Sequence, residues 1–118
     1  MSTAAHIVVA LIGLLHIYIL VLEMFLWTKP AGLRAFGQKP EMAELTKVLA
    51  ANQGLYNGFL AAGLLWGVWL GPAGNAIKVF FLLCVLVAGL YGAATASRKI
   101  LFVQAVPALI GLALVALS

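Results

Sequence analysis

The sequence predicts an all-α fold, an integral membrane four-helix bundle with short loops, and three observations predict it. Of the 118 residues, 65% are hydrophobic and 8% charged, against roughly 25% charged in a soluble domain. A chain this short buries only part of its apolar surface, whereas lipid accepts apolar side chains on every face of a helix. Four apolar segments are each long enough for a hydrocarbon core of about 30 Å, which takes around 20 helical residues. No alternating strand pattern suggests a barrel, so backbone groups facing lipid must be satisfied within helices.

One domain is expected over residues 1–118, with spans at about 4–27, 46–70, 75–97 and 100–117. The first begins without a preceding Lys or Arg, and its run from Ala4 to Trp27 is too long for the apolar part of a signal peptide. It is therefore read as a span. The sizeable loop TKPAGLRAFGQKPEMAE follows, punctuated by Pro30, Gly32 and Gly37. Pro40 with Glu41 and Glu44 resembles a helix start with acids at the positive dipole end, so the second span is expected to project past the bilayer. The second connection, GPAGN, reads as a tight turn, and the third is little more than Ser97-Arg98-Lys99.

Charge supplies an orientation. Lys29, Arg34, Lys39, Lys47, Arg98 and Lys99 fall in or beside loops one and three, which four spans place on one side; Lys78 alone belongs to the other. Short loops rich in Lys and Arg stay cytoplasmic, so both termini are expected outside, with Trp27 near the inner interface and Trp66 and Trp69 near the outer one. The net charge of +4 thus reflects membrane orientation rather than a nucleic-acid surface. The single cysteine, Cys84, excludes an intramolecular disulfide and a cysteine-rich metal site. No metal or other cofactor is expected, since neither clustered ligands nor a phosphate-binding glycine loop is present.

Polar residues inside such segments are the candidates for function. His16 and Glu23 are seven residues apart, about 20° short of two helical turns, and so share a face about 10 Å apart; Leu20 and Trp27 extend that stripe. On span 2, Asn52 lies one turn before Tyr56 and Gln53 one turn before Asn57, forming one polar strip. Span 3 adds Tyr91 and Thr95, and span 4 adds Gln104. Most lie within about six residues of the cytoplasmic ends, leaving the outer half apolar, which is expected to make a cup towards the inner leaflet. An acid near the middle of an inserted helix costs roughly 2.5–3.5 kcal/mol and needs a partner: His16, the amides of Asn52, Gln53 or Gln104, or a loop base. Amides also join membrane helices by hydrogen bonds without further function. Glycines at 54 and 58, and at 63, 67 and 71, offer close helix approach on span 2, and Pro107 is expected to bend span 4 beyond Gln104.

The stretches LHIYILVLEMFLWTKPAGLRAFG and TKVLAANQGLYNGFLAAGLLWG resemble the bacterial membrane-protein family catalogued as domain of unknown function 1304, over nearly the whole chain. EMFLW and NQGLYNG carry most of the likeness, and Glu23, Trp27, Asn52, Gln53, Tyr56 and Asn57 fall in them. The resemblance implies a multi-pass protein of the bacterial cytoplasmic membrane and no assigned activity.

The expected function is accordingly an inner-leaflet polar pocket around Glu23 that binds a small lipophilic ligand through Asn52, Gln53, Tyr56, Asn57, Tyr91, Gln104 and Trp27. One alternative is a membrane-embedded enzyme of isomerase or epoxide-opening type, with Glu23 as acid or base and His16 as its proton partner. Another is an oligomeric proton- or cation-linked transporter. Membrane lipid, a lipophilic ligand and a homo-oligomer are the expected partners, and nucleic acid is not.

Overall fold

The computed structural model describes residues 2–118, and every regular element among them is helical. In chain order these are α1 (Ser2–Met24), α2 (Pro30–Phe36), α3 (Pro40–Trp69), a 3₁₀ turn (Gly71–Gly74), α4 (Asn75–Thr95), a π-helical turn (Leu101–Ala105) and α5 (Val106–Leu117). The all-helical expectation holds. By length and composition, Ser2–Met24 and the helical stretch Gly71–Thr95 suffice to cross a membrane, and Leu101–Leu117 is a shorter apolar helix. Large apolar side chains stand exposed along all four long helices, among them Leu11, Leu45, Val87 and Leu109.

Helix α1 ends sooner than the hydrophobic run suggests. The Leu26 N–H reaches back five residues to the Val21 carbonyl rather than four, so winding is lost after Met24. Trp27 therefore leaves the helical stripe of His16, Leu20 and Glu23 on which its spacing had placed it. The first connection also contains a helix where punctuation alone was expected. Pro30 occupies the first turn of α2, where its missing N–H costs nothing. Gly37 closes the helix with φ +62°, its N–H bonded to the Leu33 carbonyl, a left-handed cap that a side chain disfavours.

The chain comprises two compact units. Residues 14–61 form one, with the end of α1, α2 and most of α3. Its interior holds His16, Leu22, Gly32, Ala43, Ala50, Gly54 and Ala61. A Cβ at Gly54 would meet Met24 Cγ at 2.5 Å and the Leu20 carbonyl oxygen at 3.2 Å, so α3 approaches α1 closely because glycine leaves room. Trp27 Nε1 donates to Thr46 Oγ1 at 3.1 Å, and its ring packs on Phe36 with centroids 4.8 Å apart. One side chain thereby joins the end of α1 to both α2 and α3.

Residues 2–13 and 62–118 form the other unit, whose interior includes Val9, Ile12, Leu64, Leu82, Val85, Ala105, Ala108 and Val115. At Gly89 the α4 backbone nearly touches the π turn: a Cβ there would lie 2.6 Å from the Ala105 nitrogen and 3.0 Å from Gln104 Cβ. The wide turn has a local cause. Pro107 lacks an N–H and its ring crowds the carbonyl four residues back, so α winding across 103–107 is disfavoured. Instead the Val106 N–H bonds to the carbonyl of Leu101, five residues earlier.

Candidate functional site

The residues around Glu23 belong to the unit formed by 14–61. Glu23 lies in the last turn of α1, and Asn57 in the middle of α3. Asn57 Nδ2 donates to Glu23 Oε1 at 2.6 Å and also to the Gln53 carbonyl oxygen at 3.1 Å. Gly54 makes the contact with Glu23 possible, since the carboxyl and amide must come from helices whose backbones are near. Glu23 is half-buried, and among the described residues its Oε2 has no hydrogen-bond partner. The carboxyl is thus oriented through one oxygen and keeps acceptor capacity on the other.

His16 is wholly buried on α1, two turns before Glu23. Asn52 and Gln53 are both exposed on α3; Asn52 Nδ2 donates to the Val48 carbonyl of its own helix at 2.9 Å. Tyr56 is exposed as well, with its ring centroid 6.2 Å from that of Phe59. Trp27 is engaged by Thr46 and Phe36 as described above. Glu23 and Asn57 are therefore in direct side-chain contact, Gln53 joins them through its backbone, and Asn52 and Tyr56 project from α3. Tyr91 and Gln104 belong to the other unit. Tyr91 is exposed and its carbonyl accepts from Thr95 Oγ1 at 2.8 Å, while Gln104 is half-buried in the π turn.

One polar group escaped the sequence reasoning. Lys78, counted there only as a charge on the outer side, is 1% exposed in the first turn of α4, and its Nζ donates to Asn75 Oδ1 at 3.0 Å. The i,i+3 spacing of Asn75 and Lys78 beside the GPAG turn was the available signal. Among the described residues the ion pair present is Lys47 with Glu44, on the exposed start of α3, and no group of three or more His, Cys, Asp or Glu is placed to hold a metal.

The model of the family described as "Protein of unknown function (DUF1304)" matches residues 10–116. The chain is also 32% identical over 119 residues to the Uncharacterized protein YpaA of Lactococcus lactis subsp. lactis (strain IL1403), covering 99% of this chain and 96% of the relative. No solved structure matches. The strings that carry the resemblance, with Glu23 and Asn57 in them, lie inside the matched region, and the chain belongs to the DUF1304 family, whose function is unknown.

Proposed function

We propose that this protein is a multi-pass component of the bacterial cytoplasmic membrane that holds a small lipophilic ligand by a hydrogen bond to Glu23. Support for the membrane comes from the composition, from two helices of sufficient length and apolarity, and from exposed apolar stripes that water would penalise. In that setting the four long helices each cross the bilayer, loops one and three face the cytoplasm, and both termini lie outside. The burial of Lys78 strengthens the charge asymmetry, because the lone basic residue of the outer side is folded into α4 rather than displayed on a loop.

The contact between Asn57 and Glu23 carries the ligand proposal. An acid at membrane depth is costly, and hydrogen bonding to one oxygen compensates only part of it. The remaining oxygen suits a donor, the hydroxyl or amide of an amphiphile whose apolar body lies along exposed helix surface. Gln53, exposed one turn before Asn57 on α3, offers a second amide to such a head group.

The test is native mass spectrometry of protein extracted in mild detergent, with the lipid fraction identified. Wild type is expected to retain a hydroxyl- or amide-bearing amphiphile. Glu23→Ala, with helicity unchanged by circular dichroism, should lose it, and Glu23→Gln, which keeps only one acceptor oxygen, should retain less than wild type. Equal retention by all three proteins defeats the proposal.

A further inference from the structure

The exposed side of α3 is patterned for a partner. Met42, Leu45, Leu49, Asn52, Tyr56 and Phe59 are all exposed, with Leu45 at 82%, and their spacing of three, four, three, four and three is that of a left-handed helix-pair seam. The opposite side of the same helix, with Ala43, Ala50, Gly54 and Ala61, is buried in the chain's own interior. Exposed apolar stripes also occur elsewhere: Ile7, Leu11 and Leu14 of α1 form one. That stripe asks for nothing beyond acyl chains. The α3 seam differs because an amide sits at its centre, about 9 Å inside a span beginning near residue 46.

Lipid offers that amide no hydrogen bond. Asn52 donates one N–H to Val48 on its own helix, and among the described residues its Oδ1 has no partner. An asparagine side chain carries both donor and acceptor, so its best complement is another asparagine in reversed relation. Copies of one membrane protein share a single orientation in the bilayer. A two-fold axis along the membrane normal then brings each α3 residue to its own counterpart at equal depth. Asn52 would face Asn52, and each carbonyl would accept from the other's free N–H. None of the six seam residues is charged, and the neighbouring Glu44 and Lys47 pair with each other.

We propose that α3 pairs in parallel with α3 of a second copy through this seam, with Asn52 hydrogen-bonded to its counterpart and fixing the register. The pairing rests on the membrane placement proposed above and is independent of a ligand at Glu23. In a Cys84→Ala background, single cysteines at positions 42 to 59 are oxidised in native membranes and adducts are sized. Dimer adducts should peak at 42, 45, 49, 52, 56 and 59 and fall at 44, 47 and 51. Asn52→Ala removes both reciprocal bonds and should weaken dimerisation by roughly 10-fold or more, as expected for two interhelical hydrogen bonds. If that variant does not fold, the profile from Met42, Leu45 and Leu49 decides alone. A flat profile, peaks on the other side of α3, or adducts with a different protein would overturn the pairing while leaving the membrane placement intact. Release of the protein by alkaline carbonate would remove the placement and the pairing together.

Discussion

Replacing Gly89 by alanine is the sharpest test of the packing between α4 and the π turn. The added Cβ would sit 2.6 Å from the Ala105 nitrogen, roughly 0.8 Å closer than the 3.4 Å at which ordinary van der Waals contact begins. A backbone atom cannot rotate away, so one element must translate or the contact must open. Gly92→Ala on the same helix provides the comparison. Its Cβ would meet the Ile100 side chain at 3.1–3.2 Å, which a rotamer adjustment relieves. Both substitutions gain similar helix propensity, about 1 kcal/mol in water, and that gain cancels in their difference. The difference isolates the backbone collision, for which overpacking costs of about 1–3 kcal/mol are the guide. Unfolding in mixed micelles, titrated with a denaturing detergent and followed by helicity, should find Gly89→Ala less stable than Gly92→Ala by that amount. Equal stability, or a more stable Gly89→Ala, would refute the close approach of α4 to the π turn.

Other expectations are independent of that contact. Trp27→Phe and Thr46→Val each remove the Trp27–Thr46 hydrogen bond, so a double-mutant cycle should give a coupling of about 0.5–1.5 kcal/mol; additive effects would show that the bond contributes nothing. Lys78→Met keeps the length of a buried chain and removes an amine that no described carboxylate pairs, so stability should be unchanged or higher, whereas Lys78→Ala should lose about 2–5 kcal/mol by leaving a cavity. Thermal melting separates the two. Gly37→Ala forces a side chain into φ +62° and should cost about 1–2 kcal/mol, read as a lower melting temperature. A periplasm-dependent reporter fused after Ser118 should be active; activity only of a cytoplasm-dependent reporter would reverse the proposed topology.

Hydropathy alone was enough to anticipate the long helices, because a sustained apolar run that crosses a membrane can satisfy its backbone only as a helix. Short-range punctuation was harder to read. Pro30 and Gly37 looked like breaks in a loop, yet they are the start and stop of α2, and only the six residues between them distinguish the two cases. Spacing put Trp27 in line with Glu23, but periodicity holds only while a helix continues, and α1 unwinds after Met24. Glu23 and Asn57 were both singled out, and their hydrogen bond adds the pairing that residue spacing on separate helices cannot supply. Lys78 shows the opposite difficulty. Charge counting assigns a lysine to the aqueous side, whereas its long aliphatic stem lets it fold inward beside Gly67 and reach Asn75.

The π turn also has a consequence for how this chain tolerates change in length. A wide turn carries about one residue more than α winding would need, so it sets the angular phase of everything after it. Removing a single residue between 101 and 105 would force α winding there and press the Pro107 ring on the carbonyl four residues before it, while adding one would rotate α5 by about 100°, swinging Ala108, Gly111 and Val115 out of the interior they now fill. A loss at the exposed Ser97-Arg98 connection falls outside any helix. Insertions and deletions should therefore accumulate among relatives at that connection and be rejected a few residues later.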